Sequence, residues 1–324
     1  MKGTGWRFRP VHDSDFTIKR ELQERLYPDS PVSVDEFRQR ARLLEDPRIF
    51  HLGLVAEETS NSVVVGFGSL NNSPWNFDPA KYSIELMVDP RYQGKGLGRR
   101  LFEILEGTAR GREATTLWAS VSAENLRSIR FFERSGFVER RRSWASRLDL
   151  TELTPALGTG RPFPSEIRIT TLAEEGPDLP EVRVRLYRLR LESGRDVPSM
   201  GTPSPYTFEQ FLETTFRNRG FHPEATLVAR VADQYVSMTF LEDVEGNPDT
   251  LHIGYTGTLR EFRGRGLAAE LKRRAITYAR AKGYRYLTTD NDSMNAPIMK
   301  VNLSLGFRVQ RTTIRGEKLL TQSP

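Results

Sequence analysis

The chain contains no cysteine and no long run of apolar residues. The missing cysteines exclude disulfides, thiolate metal sites and a cysteine nucleophile, so any catalysis must come from other groups. No apolar stretch approaches the length that a membrane-spanning helix needs, and no signal-peptide core follows the basic N-terminus. The sequence therefore predicts a globular protein in the cytoplasm that does not associate with a membrane.

Signals for metal and nucleic-acid binding are also weak. The segment Asp290-Asn291-Asp292 begins like a calcium loop but lacks the glycine and the closing glutamate, so we expect no metal site. The net charge of +6 favours anionic ligands in general. Because no RNA-binding aromatic signature or zinc-finger spacing accompanies this charge, we expect no nucleic-acid partner.

What the chain does contain is one glycine-rich pattern in two copies. The copies are Gln93-Gly94-Lys95-Gly96-Leu97-Gly98 and Arg263-Gly264-Arg265-Gly266-Leu267-Ala268, offset by 263 − 93 = 170 positions. The same offset relates Leu101 to Leu271, Asn125 to Asn295 and Gly136-Phe137 to Gly306-Phe307. A register kept through a helix, a strand and a second helix indicates that one folding unit was used twice.

The length of 324 residues also suits two domains better than one. We predict domains at residues 1–150 and 165–324, joined by a proline- and glycine-rich linker at 151–164. Strands and helices alternate in each half, which indicates a mixed α/β fold, and residues 137–150 read as a hairpin. The second half carries an additional loop-like segment near residues 193–206.

Each glycine stretch lies between a predicted strand and a predicted helix. A pyrophosphate needs backbone N–H groups at the positive end of a helix dipole, with small residues that allow close approach. The spacing differs from the dinucleotide fingerprint and lacks the Lys-Ser/Thr ending of a P-loop. One copy alone is about as well explained by a plain strand-to-helix turn, whereas two copies favour a phosphate cradle.

The two stretches, and the Asn that opens a helix ending in Gly-Phe, resemble the GNAT family of acyl-CoA-dependent N-acetyltransferases. The similarity covers almost the entire chain and extends to tandem members of the mycothiol synthase type. It implies two tandem GNAT-fold domains, each a mixed, mostly antiparallel sheet flanked by helices. It also implies acetyl-CoA as acyl donor, with contacts from Leu86, Met87, Val88, Gln93, Gly94, Lys95, Gly96, Leu97, Gly98, Arg99 and Asn125 in the first half, and from Thr256, Gly257, Thr258, Arg263, Gly264, Arg265, Gly266, Leu267, Ala268, Ala269 and Asn295 in the second.

The resemblance also suggests catalytic groups. A Glu on the strand before the loop commonly serves as base, and Glu85 has that place, with an ordinary edge charge as the alternative. The second half has Tyr255 there and His252 three residues earlier, both weaker candidates. Backbone N–H groups at a bulge near Met87 or Val88 would meet the oxyanion. The family's usual proton-donating Tyr is replaced by Phe132 and Asn302, which leaves water or another Tyr such as Tyr82.

The sequence thus predicts transfer of an acetyl group to a primary amine of a small molecule or peptide, directly in a ternary complex. A protein that senses CoA or acts as a scaffold, with one or both domains non-catalytic, is the alternative. We expect the two halves to differ in function, with the first preferred as the catalyst. The chain is expected to be a monomer or homodimer.

Overall fold

The computed structural model describes residues 5–28, 32–74, 77–153, 163–196, 207–217, 220–244 and 246–320. These residues form two compact units. Unit 1 takes its described residues from 5–140 and 314–320, and unit 2 takes them from 141–196 and 207–313. Most of the predicted linker, and the predicted loop from residue 197 to 206, lie outside the described residues.

The sheet of unit 1 contains antiparallel pairs and one parallel pair. Its strands follow the order β1-β2-β3-β4-β5, and only β4 and β5 run parallel. The strands are β1 (Trp6–Pro10), β2 (His51–Glu58), β3 (Val64–Asn71), β4 (Lys81–Val88) and β5 (Thr116–Ser122). The helices are α1 (Phe16–Leu26), α2 (Val34–Leu43), α3 (Leu97–Arg110) and α4 (Leu126–Arg134).

The strand β6 (Val138–Asp149) leads from unit 1 into unit 2. Unit 2 has the sheet order β7-β8-β9-β10-β11-β6, again with one parallel pair, β10 and β11. Its strands, besides the end of β6, are β7 (Ile167–Thr171), β8 (Leu227–Val231), β9 (Gln234–Asp243), β10 (Thr250–Thr258) and β11 (Tyr286–Asp292). The last strand, β12 (Arg308–Leu319), leads from unit 2 back into unit 1, to which its residues from 314 onward belong. Its helices are α5 (Leu172–Glu175), α6 (Pro180–Gly194), α7 (Phe208–Phe211), α8 (Leu267–Ala281) and α9 (Ala296–Ser304).

The mixed α/β architecture and the predicted repeat are confirmed. The helix after each glycine stretch buries one apolar stripe against its own sheet, as the spacing predicted. Leu97, Leu101 and Leu105 on α3 are fully buried, and Leu267 and Leu271 on α8 match them. This packing fixes the first turn of each helix beside the end of the preceding strand.

The predicted hairpin at residues 137–150 is wrong, because β6 is a single strand. Residues 143–149 pair with β11 of unit 2 rather than folding back on 137–142. The carboxyl end of the chain in turn belongs to unit 1, where the Leu320 backbone N–H donates to the Thr115 carbonyl at 2.8 Å. Each unit therefore takes its last strand from the other sequence half; the domain bounds at 150 and 165 stay predictions.

Candidate functional site

In both units the two parallel strands pair at one end and separate at the other. In unit 1 the β4–β5 ladder ends with Ser83 opposite Trp118, although β4 continues to Val88 and β5 to Ser122. In unit 2 the β10–β11 ladder ends with Ile253 opposite Thr289. Beyond these pairs the facing edges of the strands are open.

The open edges direct some of their peptide groups away from the neighbouring strand. The Asp89 N–H donates to the Val65 carbonyl on β3 at 2.9 Å. Because alternate residues of a strand direct their peptide groups to the same neighbour, those of Met87 also point to β3. The peptide groups of Leu86 and Val88 therefore point to the open side. Three residues on β4 were predicted to contact the cofactor. Of these, Met87 cannot bind a ligand at the open side through its backbone.

Unit 2 has the same arrangement on β10. The Leu259 N–H donates to the Val236 carbonyl on β9 at 2.9 Å, so the peptide groups of Gly257 also face β9. Those of Thr256 and Thr258 face the opening. The repeated edge can pair with an extended amide-containing chain in either unit.

The glycine loops close each open edge at its end. Gly94 and Gly96 have φ angles of 78° and 92°, and Gly264 and Gly266 have 75° and 84°. These left-handed conformations favour glycine, and a Cβ added at any of the four would meet no atom within 4 Å. The loops thus leave open space where a ligand can approach the backbone.

Each loop opens directly into a helix. Gly96 and Gly266 occupy the N-cap positions of α3 and α8, and no side chain caps either helix. The first-turn N–H groups, at Leu97, Gly98 and Arg99 in unit 1, therefore stay available at the positive end of the helix dipole. This is the geometry of an anion site, and phosphate binding by either loop stays a prediction.

The first residue of each loop ties it to the strand before it. The Gln93 Nε2 donates to the Val88 carbonyl at 2.9 Å, and the Arg263 Nε donates to the Thr258 carbonyl at 3.0 Å. Arg127 on α4 donates to the Gln93 Oε1 at 3.1 Å. No sequence pattern points to Arg127, because it lies on an ordinary charged helix face.

The two loops differ in their surroundings. In unit 2 the Asp196 carboxylate accepts from Arg263 at 2.7 Å and from Arg260 at 2.8 Å. In unit 1 the nearby carboxylate, Asp89, is buried and pairs with Arg25 and Arg91 instead. In the second loop, an acidic side chain therefore forms an ion pair with Arg263, one of the predicted phosphate-binding residues.

The cationic side chains inside the loops fold back on aromatic rings. The Lys95 Nζ lies 4.9 Å from the centre of the Tyr92 ring, and the Arg265 guanidinium lies 4.9 Å from that of Phe262. The helix-opening asparagines differ: the Asn125 side chain accepts from the Ser128 N–H at 3.0 Å, whereas Asn295 caps nothing. Helix capping therefore explains why an asparagine stands at position 125 but does not explain the asparagine at position 295.

Glu85 is exposed and forms no hydrogen bond or ion pair with any residue that the structure describes. It shares a face of β4 with Ser83 and Met87, the face on which Met87 packs with Leu22 of α1. Trp118, opposite Ser83, lies on this same face. Its indole Nε1 is buried and has no hydrogen-bond partner among the described residues.

The corresponding place in unit 2 is filled. The Tyr255 hydroxyl lies 2.9 Å from the Ser193 hydroxyl, and Arg190 lies 4.0 Å from the centre of the Tyr255 ring. A Cβ added at Gly257 would come within 2.5 Å of the Tyr255 Oη. The side chain therefore covers Gly257 on the face that Glu85 leaves open in unit 1.

His252 lies just before the point where β10 and β11 separate. Its Nδ1 is 3.0 Å from the Thr288 hydroxyl, and its Nε2 is 3.8 Å from the Asp290 carboxylate. Burial lowers the pKa of His252 below its usual value, although Asp290 opposes this shift. A neutral imidazole is therefore expected near neutral pH.

The bulge predicted near Met87 or Val88 is wrong, because the β3–β4 register is continuous from Ser83 to Val88. An irregularity occurs instead in β10, between Ile253 and Tyr255. Tyr82 is also unsuited as a proton donor. It is buried, and its hydroxyl accepts from Arg112, beyond the far end of α3 from the glycine loop.

Among the described residues, no group of three or more His, Asp or Glu side chains is arranged to hold a metal ion. No described helix is both long and apolar enough to cross a bilayer.

Comparison with known proteins agrees with the repeat. The model of the acetyltransferase (GNAT) family matches residues 15–137 and 187–307. A mycothiol acetyltransferase of Thermobifida fusca is 26% identical over 281 residues, which are 82% of this chain and 81% of that protein. A solved tandem GNAT protein from the clavulanic acid biosynthesis pathway aligns with a TM-score of 0.76 at 20% identity, covering 98% of this chain and 100% of that chain.

Shorter relatives match one part of the chain. The L-methionine sulfoximine/L-methionine sulfone acetyltransferase of Salmonella typhimurium is 39% identical over 88 residues, or 26% of this chain. That alignment covers 49% of the relative, so the chain spans about half the length of this curated protein. The matches thus point to one unit type present twice.

Proposed function

Because the chain belongs to the GNAT acetyltransferase family, with two matched segments, we propose that it transfers an acetyl group from acetyl-CoA to a primary amine. The observation that carries this proposal is the repeated combination of an open strand edge and an uncapped, glycine-lined helix N-terminus. The acceptor is a small molecule or a peptide, and the transfer is direct. A cytoplasmic location and a monomeric or homodimeric state remain predictions.

The residues present fit acetyl-CoA. The Leu86 peptide group and the Val88 N–H match the amides of a pantetheine arm, and the loop N–H groups match a diphosphate. The corresponding groups in unit 2 are the Thr256 peptide group and the Thr258 N–H. Bound acetyl-CoA would supply the acetyl group in activated form, as a thioester.

Glu85 is proposed as the base. An alkyl ammonium with a pKa of ~10 must lose a proton before its nitrogen can attack, and Glu85 has no competing cation among the described residues. The carboxylate both attracts the ammonium and accepts its proton, directly or through a water. The buried, unpartnered indole N–H of Trp118 on the same face can donate to a polar group of the acceptor.

An N–H group on the open edge of β4, at Leu86 or Val88, would meet the developing oxyanion. This role needs no bulge, since both N–H groups already point to the opening. Phe132 has no proton to donate to the leaving sulfur. Its ring stacks on that of Phe137, with the ring centres 5.0 Å apart. A thiol of pKa roughly 8.5 is a fair leaving group, so protonation by water suffices.

Binding and transfer are tested separately. Isothermal titration with CoA is compared between the wild type, Gly96→Glu and Gly266→Glu, each of which places a carboxylate in one loop. Gly283→Glu is the matched control, since Gly283 also has a positive φ of 83° and open space but lies outside the loops. We expect each loop variant to lose one site and the control to lose none.

Release of free thiol with a panel of amines then measures transfer. No binding of CoA by the wild type at millimolar concentration would overturn the entire proposal. Binding without thiol release on any amine would favour the alternative, a protein that senses CoA without catalysis. Mass spectrometry of a co-purified ligand would narrow the acceptor class.

A further inference from the structure

One face of the unit 1 sheet changes from apolar to polar along its strands. Residues that lie directly opposite each other on neighbouring strands point to the same face, and so do alternate residues of one strand. The register of β2, β3 and β4 therefore defines three rows on the face that bears Glu85. The apolar row, which packs with Leu22 of α1, is Val55, Phe67 and Met87. The next two rows are Gly53, Ser69 and Glu85, and then His51, Asn71 and Ser83.

The polar side chains of the second and third rows are largely free to bind a ligand. Glu85 and His51 are exposed, and Ser69 and Ser83 are partly exposed. The hydroxyl groups of both serines and the imidazole of His51 form no hydrogen bond with any residue that the structure describes. Asn71 uses its Nδ2 in one local hydrogen bond. The two rows thus present hydrogen-bonding groups to a molecule that lies on this face.

Unit 2 fills the corresponding surface with large side chains. Tyr255 and Phe240 stand opposite each other on β10 and β9, at the place of Glu85 and Ser69. Their rings stack with centroids 6.2 Å apart. A Cβ added at Gly254 would lie 2.7 Å from the Phe240 ring, so no room remains beside it. The fold therefore accepts bulky residues here, and the small ones in unit 1 are not required for packing.

His51 stands across two strands from Glu85. A Cβ added at Gly53 would lie 3.6 Å from the His51 Nε2, so the imidazole leans over Gly53 toward the row of Glu85. Two strand spacings separate Gly53 from Glu85, which is roughly 10 Å. The pKa of His51 lies below its usual value because the ring is partly desolvated and because Lys19 is positively charged. The neutral ring can both donate and accept a hydrogen bond.

The charges on these rows restrict the ligand. Glu85 is the single charged side chain in the two polar rows. Lys81, the next residue on this face of β4, is paired with Asp78 at 3.0 Å. A polyamine would need further carboxylates, and an acceptor with a carboxylate beside its amine would need a free cation, to replace the water that these charges lose. Hydroxyl, amide and imidazole groups instead pair with uncharged donors and acceptors.

We propose that the acceptor of unit 1 is an elongated amine with an uncharged, hydrogen-bonding chain. The amine nitrogen lies at Glu85, the chain crosses β3 over Ser69 and Asn71, and its far end binds His51 on β2. His51 is then a specificity-determining residue that touches the acceptor roughly 10 Å from the reacting nitrogen. The chain bears hydroxyl groups, as in a glycoside, or amide groups, as in a peptide. This inference rests on the proposed acetyl transfer by unit 1.

Thiol release with matched amines tests the chemistry of the chain. Aminoethyl glucoside carries hydroxyl groups, and cyclohexyloxyethylamine has a similar skeleton without them. Triglycinamide offers amides, and ω-aminooctanoate ends in a carboxylate. We expect kcat/KM for the glucoside or for triglycinamide to exceed that for cyclohexyloxyethylamine by ~10-fold, as for two hydrogen bonds. The better substrate of the two identifies which polar chain the rows bind.

Variants at the far end of the rows test the contact with His51. His51→Leu should lower kcat/KM for the preferred amine by ~10-fold through KM, with kcat unchanged, because only binding is lost. His51→Gln keeps a donor and an acceptor and should restore most of the binding, which a folding defect would not allow. Turnover of cyclohexyloxyethylamine should be the same in both variants. Asn61→Leu, in the exposed turn between β2 and β3, is the control and should change neither substrate.

Isothermal titration of the preferred amine into the CoA-saturated protein gives a readout independent of turnover, and the affinity should fall by ~10-fold in His51→Leu. Equal use of the glucoside, triglycinamide and cyclohexyloxyethylamine by a protein that releases thiol would overturn the inference and leave the proposed function intact. A preference for ω-aminooctanoate would also overturn it and would indicate that Lys19 binds an anionic group. No thiol release with any amine would count against the proposed function, and against this inference with it.

Discussion

The hydroxyl of Tyr255 donates a hydrogen bond to the hydroxyl of Ser193, 2.9 Å away. The direction follows because the single Ser193 proton is donated to the Leu189 carbonyl at 2.5 Å. This bond holds Tyr255 against α6, over Gly257. At the homologous position of unit 1, the exposed Glu85 carboxylate has no such partner among the described residues.

This contrast gives the two copies different chemistry from the same fold. A base must reach the proton that it removes, and Glu85 is free to do so. The Tyr255 hydroxyl already donates to Ser193 and is not poised to accept a proton. The difference supports a catalytic unit 1 and a unit 2 adapted to binding.

Glu85→Gln should lower the rate of acetyl transfer by ~10²-fold, because it removes the basicity and keeps the shape. The affinity for acetyl-CoA should stay the same, since the side chain lies away from the glycine loop. Steady-state thiol release and isothermal titration measure the two effects. The control is Glu45→Gln, an exposed acid outside the site. Unchanged turnover of Glu85→Gln would eliminate Glu85 as the base.

Asp196→Asn should strengthen CoA binding at the second loop by ~3-fold, because it frees Arg260 and Arg263 for phosphate. The effect is modest because the ion pairs are partly exposed, and it should shrink at high salt. Titration in the Gly96→Glu background isolates this loop. Asp178→Asn, which breaks an exposed pair with Arg183, is the control. Weaker binding would mean that Asp196 orients the arginines for the ligand.

Gly316→Ala should destabilise unit 1 although residue 316 comes from the second sequence half. An added Cβ would lie 2.3 Å from a Phe132 ring atom and 2.5 Å from the Val138 carbonyl oxygen. Such overpacking typically costs ~1–3 kcal/mol. Hydrogen exchange should show lost protection in β4 and α3 but not in β10 and α8. Gly107→Ala, on an open face of α3, should instead be neutral or stabilising.

Much of this architecture could be predicted from the sequence because it depends on local rules. Glycines at Gly94 and Gly96 are needed for positive φ angles, and the apolar spacing after them fixes α3. Both features repeat at the offset of 170, so the two loops and their helices were predicted correctly.

The exchange of the last strands could not be predicted, because both halves end in similar β-forming sequences. Which sheet each strand joins depends on long-range pairing, such as that between residues 143–149 and β11. The bulge in β10 cannot be predicted either, because one extra residue in a strand leaves no mark on its composition. Lys272 is detectable in retrospect as a charge inside the apolar stripe of α8, between Leu271 and Ala275.

Stability should rise with pH between about 7 and 9.5 because of Lys272. Its pKa is about 7 in the folded protein and 10.5 when exposed, so in this range the unfolded chain binds one more proton. The free energy of unfolding then increases by about 1.4 kcal/mol per pH unit from this group. Chemical denaturation at several pH values should show the slope in wild type and in Lys300→Met. Lys272→Met should lack it and be more stable at pH 7.

The variant Tyr255→Phe tests whether unit 1 or unit 2 is the catalytic unit. If unit 1 is the catalyst, the variant loses only the bond to Ser193, which costs about 0.5–1.5 kcal/mol of stability, and thiol release stays within about twofold of wild type. Glu85→Gln in parallel should lose activity. If instead Tyr255→Phe slows transfer by ~10²-fold with unchanged CoA affinity while Glu85→Gln is active, unit 2 is the catalyst. The Ser193 bond would then orient a catalytic hydroxyl, and Ser193→Ala should share the defect.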